Sequence, residues 1–451
     1  MFIARVALGV SFFLLTACSS SVFMPYPIRA AQYQDAINTG VLQPAINEMQ
    51  KQTKSSRDGL LALLEQGRLQ QLQQNYTASQ QSFALALNKL NDIDNRALLS
   101  VTHTANQGSS LVSNDNVIPY QSYPYERIFI HHYQALNYIA LNKSEDAQVE
   151  MRRAQFLQDQ AQQQEPTDNS SLSADALGEY QKRLGNTEQL AQRVTSSRQN
   201  AAPLYLAGLL YEANQKFDDA LIDYKRALNL VPTNRFLQED VARLARKLNR
   251  SDEFKNLANV ATKPPKNNEG TVVIFYEESF APAKEELFLP FPWPEAWYTV
   301  AFPYYGGSWQ SPQPLTIEHQ SLKTPLASQV LTDTQALAAR ALKDNYVSML
   351  IRQTLRSQTK HKLQQQAQDQ GGAVLGLLVG AYNFLSENAD LRSWLTLPRF
   401  VHVARFNLPE GEQELKLNGQ QTLKLKVNSQ QIHLVYVVQA NNHFYVANWP
   451  L

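Results

Sequence analysis

Eight histidines, at 103, 131, 132, 319, 361, 402, 433 and 443, are the first residues to test for chemistry. None stands four positions from another on a helix. There is no His-Glu-x-x-His and no cysteine cluster, so the usual zinc frameworks are absent from the sequence. His131 and His132 are adjacent, and neighbours on a helix point about 100° apart, too far to share one ion easily. No metal ligand set is therefore expected. Nucleophilic chemistry finds no Gly-x-Ser-x-Gly elbow, and nucleotide chemistry finds neither a Walker loop nor Gly-x-Gly-x-x-Gly. Glu277-Glu278, at the end of a β-branched run, is the nearest candidate for paired carboxylates acting on a glycosidic bond. Its plainer reading is a solvated strand end. No catalytic residues are assigned, and a non-enzyme is expected.

Cys18 is the only cysteine, so no disulfide forms within the chain. Arg5 and an apolar run from Val6 to Leu15 precede it, the layout of a secretory signal too short to span a bilayer. Leu15-Thr16-Ala17-Cys18 resembles the lipobox of bacterial lipoproteins. That resemblance implies a signal peptide over 1–17 and a diacylglycerol thioether with an N-acyl chain on Cys18. Several acyl chains hold a protein firmly where one does not. Ser19, in place of aspartate, implies the outer membrane by the same resemblance. Removing the signal leaves 40 basic against 40 acidic residues. A net charge near zero argues against a nucleic-acid partner.

The elements that would position functional residues divide at a linker, Lys263–Asn268. The expected organisation is a tetratricopeptide-like helical domain over 18–262, a linker over 263–269 and an α+β domain over 270–451. Leu204, Ala207, Gly208, Tyr211, Ala220, Tyr224, Ala227 and Pro232 fall at tetratricopeptide spacings. Small residues let two helices approach, and Pro232 ends the second. Weaker copies run from Asp58 to Leu90 and from Arg127 to Gln155. Gly67, Ala135 and Gly208 are then equivalent, 68 and 73 residues apart. Asn91 to Tyr125 reads as an excursion and 162–171 as a loop. Such arrays line a concave groove with the first helix of each pair. Arg68, His132, Tyr205, Leu209 and Glu212 map to that face and are the candidate partner-binding residues. Glu126, Arg127, Glu150, Arg152 and Arg153 form a charged set around the second repeat, a candidate contact surface or simply a solvated helix face.

Beyond the linker, Thr271–Tyr276, Leu287–Leu289 and Tyr298–Phe302 read as strands, with prolines 290, 292, 294 and 303 keeping them short or at an edge. Asp333 caps a helix. Glycines 372, 376 and 380 stripe an apolar run over 371–384, which is either a buried helix or a segment touching the bilayer. Five strands follow between Phe400 and Ala447, joined at Pro409-Glu410-Gly411, Asn418-Gly419 and Asn441-Asn442. The expected fold is α+β and multidomain: an all-α array, then a small β-sandwich-like domain with inserted helices, against which the Thr271 strand packs.

Tyr125-Glu126-Arg127 with His131, Glu150-Met151-Arg152-Arg153-Ala154, the stretch Ala389–Pro398 (ADLRSWLTLP) and Leu408–Gly411 resemble a group of bacterial lipoproteins with tetratricopeptide repeats. The resemblance implies an envelope lipoprotein. More loosely, anchored repeat proteins of this kind serve as adaptors in barrel assembly, pilus assembly, or cell-wall synthesis and hydrolysis. The expected function is a non-catalytic, lipid-anchored scaffold on the periplasmic face. It would bind an envelope protein and use no cofactor beyond its acyl chains. The alternatives are a cell-wall glycan enzyme using Glu277, or a structural protein whose glycine-striped run contacts lipid. Arg392 and Trp394 would either dock a partner or, for Trp394, plug the junction between the glycine-striped helix and the sandwich.

Overall fold

Short loops between amphipathic segments force neighbouring helices to lie antiparallel, and the first half of the chain is built from this rule. A computed structural model describes residues 24–102, 118–160, 184–293, 296–346, 349 and 388–451. Cys18 and the signal, the expected loop at 162–171 and the glycine-striped run at 371–384 lie outside the described residues. The helices are α1 (Tyr26–Thr39), α2 (Gln43–Gln52), α3 (Gly59–Leu72), α4 (Tyr76–Thr102), α5 (Pro124–Ala140), α6 (Ser144–Asp159), α7 (Gly185–Ala191), α8 (Ala201–Ala213), α9 (Phe217–Leu230) and α10 (Arg235–Lys247). A 3-10 turn spans Ser251–Leu257. None of the described helices is long and apolar enough to cross a membrane.

The pairs α3–α4, α5–α6 and α8–α9 turn identically. Each bends through one left-handed residue, Gln74, Asn142 and Gln215, at φ of 62°, 56° and 59°. These residues recur at the same two intervals as Gly67, Ala135 and Gly208. Inside the pairs, contact is as close as the small residues allow. A Cβ on Gly67 would lie 2.8 Å from the Phe83 ring, and one on Gly208 2.7 Å from the Tyr224 ring. Asn200 caps α8 by accepting from the Ala202 amide, and Asn234 caps α10 by accepting from those of Phe236 and Leu237. One boundary differs from expectation. Helix α4 continues past Asn91 to Thr102, because the first breaker, Gly108, comes later than the excursion was drawn.

Among the described residues, the second half holds three sheets. Strands β1 (Glu269–Glu278), β6 (Gln329–Asp333), β7 (Phe400–Pro409), β10 (Ile432–Ala440) and β11 (His443–Pro450) form a five-stranded mixed sheet in the order β11-β10-β1-β7-β6. Strands β4 (Thr316–Glu318), β5 (Leu326–Ala327), β8 (Gly411–Leu417) and β9 (Gln421–Val427) form a second sheet. Among the described residues, strands β2 (Glu285–Trp293) and β3 (Ala296–Tyr304) pair with each other in a two-stranded ribbon. Helix α11 (Thr334–Asp344) is inserted after β6, its start capped by Asp333, which accepts from the Ala336 amide at 3.0 Å. Asn418 and Gly419, at φ of 51° and 66°, make the tight turn between β8 and β9. Those strands alternate strictly, with Leu415, Leu417, Leu423 and Leu425 inward and Glu414 opposite Lys424 on the outside.

The architecture is therefore α+β, helices first and sheets after, but the Thr271 strand is not packed against a separate sandwich. It is β1, the central strand, parallel to β10 and antiparallel to β7. Helices cover one face of its sheet, and β9 touches the other. That double covering explains an unbroken apolar run where a half-solvated strand would alternate. The unstructured stretch before Glu269 does not separate two cores: buried residues of helices and sheets form one contiguous cluster.

Candidate functional site

The period-2 geometry of β1 sends Val273, Phe275 and Glu277 toward the helices, and Tyr276 and Glu278 away. On the helix side, the sheet packs against the inner face of the helix pairs. Arg68 of α3 forms an ion pair with Glu277 and donates to the Tyr436 hydroxyl at 2.7 Å. His132 of α5 lies 6.1 Å from the Phe275 ring, centre to centre, and Tyr205 of α8 lies 5.7 Å from it. Glu212 accepts from Arg405 of β7 at 2.8 and 2.9 Å and pairs with Arg243 of α10 at 2.7 Å. Leu209 is fully buried. The five residues expected to line a partner groove thus do share one face, but the chain's own sheet occupies it, and the expectation of an open groove is corrected.

The electrostatics follow from this burial. Burial alone would lower the Arg68 guanidinium, but Glu277 beside it holds it above the ordinary arginine value. Burial opposes ionisation of Glu212, yet Arg405 and Arg243 hold its carboxyl well below the usual carboxylate range. His132 has neither a carboxylate nor a hydrogen-bond partner at either ring nitrogen. Burial, helped by the Arg68 charge, pushes it down to about 3, so it sits there neutral.

The Ala389–Pro398 stretch carries no regular structure and threads between the helices. Its polar backbone is satisfied by buried acids instead of a strand partner. The Trp394 amide donates to Glu126 at 2.8 Å, and the Leu395 amide donates to Glu65 at 3.0 Å. Glu65 also accepts from the Tyr26 hydroxyl at 2.9 Å, and burial raises its carboxyl to about 7. Arg392 joins Asp58 at 3.1 Å and Asp390 at 2.8 Å. Trp394 is fully buried against the Phe83 and Tyr133 rings, so it is an internal plug and not a docking residue. Those rings belong to α4 and α5 and not to the expected junction of glycine-striped helix and sandwich, whose helix lies outside the described residues.

The charged set does not hold together as a surface. Glu126 is buried and accepts from Tyr120, Ser122 and the Tyr123 amide as well as from Trp394. Glu150 is buried between His131 and Arg153, both at 2.6 Å. Arg127 is bidentate to Asp94, at 2.7 and 2.9 Å. Only Arg152 and Arg153 are exposed. Glu278 accepts from the Gln313 amide at 2.8 Å and lies 3.1 Å from His402 Nε2, on the face opposite Glu277. Two carboxylates on opposite faces of one sheet cannot flank one glycosidic bond. The expected solvated strand end is also absent, since both glutamates are buried. Among the described residues, no group of three His, Cys, Asp or Glu side chains is placed to hold a metal ion.

An open cleft of about 780 Å³ lies elsewhere, between α6, α8, α9, the edge strand β6 and the start of α11. Leu204, Val231, Leu331, Leu337 and Phe400 give it an apolar floor. Its rim carries Trp309, whose indole donates to Asp333 at 2.9 Å. Arg193 lies 3.9 Å over the Trp309 ring and 3.5 Å from Asp333. Arg226, paired with Asp159, stands on another part of the rim. Sequence reading missed this cleft. Its one local signal is Trp309, placed between Gly306-Gly307 and Pro312 in a stretch without periodicity. Comparison with protein-family models and with curated proteins finds no match.

Proposed function

We propose that the chain is a non-catalytic, lipid-anchored adaptor on the periplasmic face of a bacterial outer membrane. Its helix pairs are tetratricopeptide-like, and its sheets form a sandwich-like second layer that has become the array's internal ligand. The observation that carries this reading is the contrast between the two concave surfaces. The array's inner face is packed with strands of the same chain. The cleft bounded by both halves is open, with an apolar floor and a rim of paired charges. That combination suits an extended segment of an envelope protein: apolar side chains seat on the floor, and Arg193, Asp333 and the Trp309 ring fix the segment's direction. The Leu15–Cys18 sequence supports the anchor.

The test is in-cell photo-crosslinking from residue 309 or 229, at the cleft, against residue 205, on the array's inner face. Recovered partners are then identified by mass spectrometry. Adduct formation with one envelope protein from the cleft positions, lost in Arg193→Glu, supports the reading. A partner captured from position 205 and from neither cleft position contradicts it.

A further inference from the structure

Two buried side-chain amides meet at one wall of the open cleft, where α6 ends and α8 begins. Gln158, in the last turn of α6, lines the cleft and is 6% exposed. Asn200, which caps α8, stands between the lining residues Gln199 and Ala201 and is 1% exposed. Hydrogen bonds fix which way each amide is turned. Gln158 Oε1 accepts from the Asn200 backbone amide at 2.9 Å. Asn200 Oδ1 accepts from the Ala202 amide at 3.1 Å and from the Thr332 hydroxyl. The oxygens are therefore used, and the nitrogens are left over: neither Gln158 Nε2 nor Asn200 Nδ2 has a hydrogen-bond partner. A buried donor without an acceptor is costly, and two side by side call for a ligand that supplies acceptors.

The surroundings narrow that ligand. The acceptors nearby are already engaged. The Val330 carbonyl accepts from Asn234 at 3.0 Å, and Asp333 and Asp159 pair with Arg193 and Arg226. A segment in mid-chain brings one N–H for each carbonyl, so it would satisfy the two donors and bury new ones. A carboxylate brings two accepting oxygens and no donor. Helix α8 starts at this wall, and the amide end of a helix favours a negative charge. Among the lining residues the two arginines are balanced by the two aspartates, so selection of a terminus falls to the amides. The floor of Leu204, Val231, Leu331, Leu337 and Phe400 suits an apolar side chain beside that terminus.

We infer that the cleft takes the free carboxy terminus of its partner, the terminal carboxylate accepting from Gln158 Nε2 and Asn200 Nδ2 and the last side chain seated on the apolar floor. The inference rests on the adaptor reading proposed for this cleft and names the part of the partner that enters it. Hydrogen bonds to a carboxylate are charge-assisted and roughly twice as strong as neutral ones. The same two amides reject a carboxamide, whose own NH2 would face them donor to donor.

The test uses the purified full chain and fluorescein-labelled heptapeptides of randomised sequence, made once as free acids and once as carboxamides. Retained peptides are identified by mass spectrometry and their affinities measured by fluorescence anisotropy. The expected result is retention of acids with an apolar last residue, and a loss of at least about tenfold when a retained sequence is amidated. Gln158→Glu and Asn200→Asp keep each accepting oxygen and replace the leftover donor with an acceptor, and aspartate caps a helix as well as asparagine does. Each variant should bind the carboxamide better than the acid, a reversal that misfolding cannot produce. Acids and amides retained equally by the native chain, or a preference for acids unchanged in both variants, overturns the inference. So does retention of neither pool by the folded chain, which would leave water as the amides' acceptor. So does retention of carboxamides enriched in aspartate or glutamate, which would move the carboxylate to a side chain. Crosslinking from residue 309 decides separately whether the cleft holds a partner, so failure of the adaptor reading is distinguishable from failure of this inference.

Discussion

Arg68 and Glu277 stand 209 positions apart in the chain and form an ion pair whose side chains are 1% and 0% exposed. The pair joins the inner face of the helical array to the central strand of the sheet. On the repeat-array reading proposed above, that face would be kept for a partner, and here the chain's own sheet occupies it. Helices and sheet should consequently unfold together, in one transition.

Breaking this pair from one side leaves an uncompensated buried charge. Arg68→Ala and Glu277→Ala should each cost roughly 3–5 kcal/mol in denaturant unfolding. The double variant Arg68→Met/Glu277→Leu, which removes both charges and keeps apolar volume, should cost clearly less than either. A double variant at least as damaging as the sum of the singles would show that the pair is not the joint described.

His132 gives the stability a specific pH dependence. Its folded value is about 3, against an unfolded value near 6.5. As pH falls through 6.5 the unfolded chain takes up a proton that the folded chain refuses, so stability is lost between about 6.5 and 3. Glu65 acts in the opposite sense: raised to about 7, it favours the folded state as pH falls from 7 toward 4.5. His132→Phe removes the first effect alone. Between pH 7 and 4 the variant should lose less stability than the wild type, by on the order of 4 kcal/mol at most. Parallel stability curves for the two proteins would contradict the assignment.

Gly208 is fixed by the ring it touches. A branched side chain there must displace Tyr224, whose hydroxyl donates to Glu212 at 2.9 Å. Gly208→Val should cost about 2 kcal/mol or more through overpacking. Tyr224→Ala in the same chain should recover part of that loss, which a thermal melt of the three variants resolves.

Trp394 fills space between α4 and α5. Trp394→Ala should cost roughly 3–5 kcal/mol by leaving a cavity. Trp394→Phe should cost less, although it still forfeits the indole bond to Thr396, which measures 3.0 Å. Equal losses in the two variants would argue against a packing role.

Local spacings made much of this legible. Gly208, Ala220 and Tyr224 sit within one helix pair, so their separation along the chain is their separation in space. The unbroken run Thr271–Tyr276 announces a strand buried on both faces. What covers the inner face of the helices was not legible, because Tyr205 and Glu212 look the same whether they meet a stranger or the chain's own strands at Phe275 and Arg405. A signal did exist in the strands themselves: Glu277 and Arg405 are charges in otherwise apolar runs and require buried counter-charges. The Ala389–Pro398 stretch has no period at all, since its backbone partners are the side chains of Glu65 and Glu126.

The most direct measurement of the central claim is thiol accessibility on the inner face. With Cys18→Ser removing the only native thiol, Leu209→Cys would be compared with Ile222→Cys, an exposed position at 52%, for reaction with a maleimide under native conditions. A face closed by the chain's own sheet predicts prompt labelling at 222, and labelling at 209 only on unfolding. Labelling at 209 as fast as at 222 in the folded protein would contradict it.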